Sequence, residues 1–411
     1  MRSFLPLIRS EWRLLLFGFM MMFCSSFGQT FFIGLFGGDI RAELGLGHGD
    51  FGAIYSGATL ASAALLLWSG ALIDRLDLRH YACLVAAGLS AGCLLLAAST
   101  GPLLLFFAFF ALRHLGQGLM GLAGPTAMVR YLPEQRGKAN ALSGMGFSFA
   151  EALLPTLAIA LLAGLGWRQS WVFWGVLLLL TAPALSLLLL RGHRDRHRDY
   201  LQTLQAGDDA QAGPRQKQWT RAEVLRDARF YLFLPALLAQ PVLFTGFIFH
   251  QVPLVEAKQW SLSAWAALFV FYALVNIACK LLAGLLVDRF GAVRLVPVVS
   301  LPLGLGLLAL ASSDQFAAAW VFMGLMAVSV GTYSTLSSPF YSELYGTLHL
   351  GSIKSLTSAA MVFGTAIAPI LMGAMIDRGV SMDAMAVGGL GYTLLASALA
   401  LAAVRRPAPP A

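Results

Sequence analysis

Apolar runs of about 18–25 residues, parted by short polar breaks, recur along the whole chain, and each is long enough to cross a bilayer as a helix. Their approximate limits are 14–38, 51–73, 81–99, 103–129, 139–164, 169–190, 230–254, 263–287, 293–311, 316–341, 353–376 and 382–404. Several cores are rich in glycine and alanine, which lets helix backbones approach where lipid supplies no hydrophobic drive between them. One long polar stretch interrupts the pattern. It runs from Arg191 to Arg229, with Arg194, Asp195, Arg196, His197 and Arg198 in series and Gly213-Pro214 further on. The pattern predicts an all-α integral membrane protein of about twelve helices: a six-helix bundle over residues 1–190, a cytoplasmic linker over 191–229, and a second six-helix bundle over 230–411.

Composition agrees with that solvent. The hydrophobic fraction is 58% and the charged fraction 12%, against about 45–50% and about 25% in soluble domains. The net charge of +8 is a matter of topology. With the N-terminus inside, 22 of the 28 lysines and arginines fall on the cytoplasmic side, nine of them in the linker. Four (Arg41, Arg168, Lys258 and Arg378) fall outside, and Arg113 and Lys280 lie within spans. The positive-inside rule therefore places both termini in the cytoplasm of a multi-pass protein of the plasma (cell inner) membrane and removes the case for a nucleic-acid partner. Cys24, Cys83, Cys93 and Cys279 sit in apolar runs as small core residues. The first apolar stretch, about Leu14 to Phe36, spans the membrane itself and has no clear small-residue cleavage site. There is no phosphate-binding G-x-x-x-x-G-K-[ST] loop, no metal-like spacing and no soluble domain large enough for catalysis, so neither an enzyme nor a cofactor or metal is implied.

A charged signature closes one apolar helix in each half. The first copy is Gly70, Asp74, Arg75 and Arg79; the second is Gly284, Asp288, Arg289 and Arg294, with Asp74 and Asp288 lying 214 residues apart. A repeat at half the chain length is the mark of two similar bundles fused in tandem. Both carboxylates lie at helix C-termini, unfavourably placed for their own dipoles. They are better satisfied by helices that start on that side, so the signature reads as a cytoplasmic latch.

Ionisable groups inside the membrane are costly and mark function. Lys280 lies eight residues before Asp288, about 12 Å from the cytoplasmic helix end at 1.5 Å per residue, and Asn276 shares its face. Arg113 is near mid-depth in the fourth span, beside His114 and on one face with Gln117. Glu151, in the fifth span, either ties helices together by pairing with Arg113 or carries a coupling proton. His250 near the end of the seventh span lines a mouth, titrates during transport, or ties helices. Gln29, Tyr55 and Tyr333 are polar groups suited to a cavity wall or to helix–helix contact.

These residues resemble the major facilitator superfamily, whose loop between helices two and three reads G-x-x-x-D-R-x-G-x-R. The copy from Gly284 carries Asp288, Arg289 and Gly291, with Arg294 one residue late; in the first copy Asp77 stands where glycine is usual. Arg113 with Gln117-Gly118, and Gly166-Trp167-Arg168, are similar to further superfamily features. The run Asn276, Lys280, Gly284, Asp288 resembles helix eight of the monocarboxylate and oxalate–formate branch, where a basic residue, usually arginine, binds the substrate carboxylate. Here lysine replaces arginine, asparagine replaces the aspartate often found one turn earlier, and the Ser25–Gly28 region lacks that branch's acidic-glycine motif. The resemblance implies a monomeric secondary transporter, a symporter or antiporter, moving a small organic anion of the monocarboxylate class by alternating access, with protons as a candidate coupling ion. The alternatives are a proton-coupled multidrug or other small-solute exporter, and a transport-fold sensor.

Overall fold

The computed structural model describes residues 4–70, 72–132, 135–193, 196–197, 219–346 and 350–406. Of the polar stretch, Arg194, Asp195, Arg198 and Gly213-Pro214 lie outside the described residues, as do the side chains of Asp74 and Arg75.

Among the described residues, ten helices are long and apolar enough to cross a membrane. Four belong to the first half: His48–Ser69, Leu78–Ala97, Pro102–Tyr131 and Gly137–Leu189. Six belong to the second: Ala228–Phe249, Leu262–Phe290, Ala292–Ser312, Ala317–Ser337, Leu356–Asp377 and Met382–Arg405. A bent pair, Leu5–Gly28 with Thr30–Leu44 at 47°, supplies the first span. The 53-residue run Gly137–Leu189 would measure about 80 Å as one helix, far more than a bilayer's apolar thickness. It breaks at Gly166, whose φ of 76° and ψ of 169° are non-helical, and so supplies the fifth and sixth spans. The expected twelve crossings are reached through these two irregular elements.

The helix starts follow local chemistry. Asp77, Asp227, Ser261 and Ser381 each cap an N-terminus by accepting a backbone N–H two or three residues on. Thr220 and Glu223 form a reciprocal capping box ahead of the seventh span.

The chain divides into two units, Met1–Gly45 with Ile54–Gly213, and Leu46–Ala53 with Pro214–Ala411. In the first, an aromatic cluster fixes the broken first span: Phe32 and Phe36 lie edge-on or tilted to Trp171 at 5.4 and 5.1 Å, and Phe27 packs on Trp174 at 5.2 Å. In the second, Phe230, Phe233, Phe340, Tyr341 and Tyr345 form a buried core at one end. The segment Leu46–Ala53 belongs to this unit because the Asp377 carboxylate accepts from the backbone N–H groups of His48 and Gly49, at 2.9 and 2.7 Å.

Each unit also ties its loops with one cation. Arg168 donates to Glu43 at 2.8 Å and to the carbonyls of Ala97 and Ser99 at 2.5 and 2.7 Å. Lys258, its side chain 2% exposed, reaches Asp314 at 2.6 Å, Asp383 at 2.8 Å and the Ser313 carbonyl at 3.3 Å. Two of the four basic residues assigned outside are therefore structural.

Candidate functional site

In the first unit, two irregular helix segments cross. Ser25–Gly28 is a tight 3-10 turn, Gln29 is extended (φ −91°, ψ 151°), and the helix resumes at Thr30. In the fourth span, Leu112–Met120 is π-helical, a rare form that is frequent at functional sites. A Cβ on Gly116 would lie 2.9 Å from both Cα and N of Gly28, and a Cβ on Gly28 would overlap the Leu112 carbonyl oxygen. This contact tolerates glycine and nothing larger.

Breaking the first span frees a carbonyl that hydrocarbon cannot satisfy. Arg113 meets that need: its Nη1 donates to Gly28 O at 3.1 Å. Its guanidinium also sits 5.2 Å from the centroid of the Tyr55 ring, and the Tyr55 hydroxyl is 2.8 Å from Thr30 Oγ1. Arg113 is 4% exposed, and its Nε has no hydrogen-bond partner. These contacts are neutral; Glu151 is itself buried in the fifth span.

His114 points to the second span. Its Nε2 is 3.1 Å from Ser69 Oγ, its Nδ1 3.3 Å from the Ser62 carbonyl, and its ring stacks on Phe110 at 5.6 Å. Gln117, one turn beyond Arg113, is exposed, and Gln29 is half-buried. Sequence reading missed Ser62 and Ser69. The signal was present: Tyr55, Ser62 and Ser69 recur at seven-residue spacing, one polar stripe along a helix.

In the second unit, Lys280 is half-buried on the eighth span, and its carbonyl accepts from Thr335 Oγ1 at 3.3 Å. Asn276 is 1% exposed; its Nδ2 donates to the Tyr272 hydroxyl at 3.3 Å while its Oδ1 has no partner. Gly331 presses the tenth span against this turn, since a Cβ there would lie 2.8 Å from Asn276 O. Tyr333 OH reaches Met361 Sδ at 3.9 Å. His250 is 2% exposed, with Nε2 3.0 Å from the Pro369 carbonyl, so it ties the seventh span to the eleventh.

The two copies of the charged signature do one job with different parts. In the first, Asp77 caps the third span itself, accepting from Arg79 N at 2.8 Å. In the second, Gly291 (φ 80°) leaves room for Glu343, from the end of the tenth span, to accept from Ala292 N at 2.6 Å and Val293 N at 3.4 Å. An aspartate in the glycine position is thus a working substitute. Asp288, Arg289 and Arg294 are exposed. A Cβ on Gly284 would meet nothing within 4 Å, and one on Gly70 would meet the Leu66 carbonyl oxygen of its own helix at 2.8 Å and, from another helix, Leu122 at 3.8 Å. Neither glycine lies under a tight crossing.

The sequence profile of the Major Facilitator Superfamily matches residues 18–345. The chain belongs to that superfamily. Its fold agrees with solved members: a bacterial homologue of the human lysosomal transporter Spinster, in its inward-facing, unoccupied conformation, is 14% identical with a TM-score of 0.66 over 97% of this chain and 98% of that one. The nucleoside transporter NupG is 14% identical with a TM-score of 0.64 over 97% and 99%. By sequence, no protein of curated function matches the chain. This superfamily member is a multi-pass membrane transporter of small solutes rather than an enzyme.

Proposed function

We propose that the protein is a secondary transporter, a symporter or antiporter, that moves a small organic anion of the monocarboxylate class by alternating access. Supporting this reading is the state of Arg113: a buried guanidinium whose contacts are the Gly28 carbonyl and the ring and hydroxyl of Tyr55, with Nε unpartnered among the described residues. A cation inside a membrane protein needs negative charge. A carboxylate supplies it with the planar geometry a guanidinium matches best. Tyr55, which contacts Arg113, and His114, Gln117 and Gln29 are the N-terminal unit's further lining candidates. In the C-terminal unit, Lys280 with Asn276 offers a second polar locus, and Tyr333 and His250 are further lining candidates. The latch role of Gly70, Asp74, Arg75 and Arg79, and of Gly284, Asp288, Arg289, Gly291 and Arg294, belongs to the same reading. So do residence in the plasma membrane with cytoplasmic termini, a monomeric state and the two-bundle division at the linker.

A second reading is a proton-coupled exporter of drugs or other small solutes; the buried carboxylate of Glu151 favours it. Uptake of radiolabelled lactate, pyruvate, oxalate and formate into proteoliposomes, set against lipophilic cations and nucleosides, separates the two. Saturable uptake of an acid supports the anion reading. Movement of cations or nucleosides alone overturns it.

A further inference from the structure

Away from the centre of the spans, a cavity of about 310 Å³ opens in the N-terminal unit between the start of the first helix and the end of the sixth span. A single water needs roughly 10–15 Å³, so the space accepts a polyatomic group. Its walls are polar and unusual. The first helix departs from helical geometry at Glu11 (φ −119°, ψ 20°), and the Glu11 carboxylate pairs with Arg196 at 2.7 Å. That pair leaves Arg13 and Arg191, both lining the cavity, without a carboxylate partner among the described residues. The Arg13 guanidinium lies 5.4 Å from the centroid of the Trp12 ring. His193 completes the wall. It is 5% exposed, its ring meets Tyr131 edge-on at 4.5 Å, and its Nε2 has no hydrogen-bond partner.

We propose that this cavity binds the phosphoryl headgroup of an anionic membrane lipid, with Arg13 and Arg191 as counter-charges and His193 Nε2–H as a donor to a phosphoryl oxygen. Arg13 and Arg191 are exposed and have no carboxylate partner among the described residues, so both are available to an anion at the rim, and phosphoryl oxygens match their geometry. The His193 imidazole nitrogen is buried with no protein partner, and a phosphoryl oxygen is an acceptor that would satisfy it. The surface beyond the rim specifies the source. Trp12 is 50% exposed, and Leu16, Leu185 and Leu188 are 45%, 41% and 47% exposed, so apolar surface runs from the cavity along two spans where acyl chains would lie. A freely dissolved phosphate would make no use of it. Basic pockets of this kind beside membrane helices suit anionic headgroups, and an exposed tryptophan suits the interface.

The test uses the full-length protein purified in phosphatidylcholine nanodiscs with or without phosphatidylglycerol. Lipid retention is read by native mass spectrometry and thermal stability by melting. Phosphatidylglycerol should be retained and should raise Tm relative to phosphatidylcholine alone, whereas inorganic phosphate and glycerol 3-phosphate should protect at least about tenfold less well, an affinity ratio worth about 1.4 kcal/mol. The double variant Arg13→Gln, Arg191→Gln should lower retention about tenfold. His193→Phe, which keeps a ring against Tyr131, should also lower it; if that variant fails to fold, the arginine pair decides. Equal retention of the two lipids, equal protection by inorganic phosphate, or full retention by the arginine variant would each overturn the proposal.

Discussion

Gly28 and Gly116 meet backbone to backbone: a Cβ on Gly116 would stand 2.9 Å from Gly28 Cα, at the point where the broken first span crosses the π-helical turn of the fourth. The contact holds the Gly28 carbonyl within reach of Arg113, so packing and electrostatics at this crossing are one arrangement. Gly116→Val must push the spans apart, at the cost of about 1–3 kcal/mol typical of overpacking, and carry the carbonyl away from the guanidinium. The expected result is a lower Tm with loss of uptake. A variant that melts lower but transports at the parental rate would separate the crossing from function.

Arg113 itself needs a readout that distinguishes binding from scaffolding. Arg113→Gln leaves a donor for the Gly28 carbonyl but removes the charge. The loss of charge-assisted hydrogen bonds, about 1.5–3 kcal/mol, predicts roughly 10- to 150-fold weaker anion binding. In the parent, a transported acid should raise Tm by ligand linkage. In Arg113→Gln that increment should vanish, whereas Arg113→Lys should keep part of it. An undiminished increment would remove Arg113 from the binding site.

Lys280→Ala is expected to abolish anion uptake while preserving expression, and Lys280→Arg to retain part of it. Asn276→Ala removes both the donor to Tyr272 and the unpartnered Oδ1, and should lower affinity more than maximal rate. Uptake kinetics over a range of substrate concentrations decide this. Parental kinetics in Lys280→Ala would exclude that lysine from the site.

The spans and the tandem repeat were legible because lipid forces long apolar runs and duplication keeps its register. Mid-span irregularity was not. Gln29 takes an extended conformation and Leu112–Met120 a π-helical one, yet both occupy stretches whose hydropathy reads as ordinary helix. The glycines at 28 and 116 were the available hint, and they matter only once the two helices are brought together. The cap on the ninth span was hidden for a related reason, since Glu343 lies 51 residues from Ala292 in sequence. Arg113 was legible as a buried charge, but its contact with the Gly28 carbonyl was not: a carbonyl freed by a helix break leaves no trace in sequence.

The loop clamps predict stability rather than transport. Lys258→Met removes one cation from two carboxylates and a carbonyl held together in the C-terminal unit. Both carboxylates remain partly exposed, at 78% and 45%, so water relieves much of the repulsion. The expected cost is about 1–3 kcal/mol, at the level of losing hydrogen bonds to charged groups. Chemical denaturation in detergent should register it, with substrate affinity unchanged in the fraction that remains folded.

His193 gives stability a pH dependence with a defined sign. Burial in the linker's first turn is the main cause that lowers its pKa from 6.5 to about 4, with Asp77 opposing and Arg196, His197 and Arg79 reinforcing the shift. The folded protein therefore resists a proton that the unfolded chain accepts. The stabilisation is fully present above about pH 6.5 and is lost as pH falls toward about 4, because in that interval the unfolded state binds more protons. His193→Phe keeps a ring against Tyr131 and cannot titrate, so its Tm should fall less than the parent's across the same interval. Melting curves of both proteins at matched ionic strength test this, and parallel pH profiles would assign the acid sensitivity to other groups.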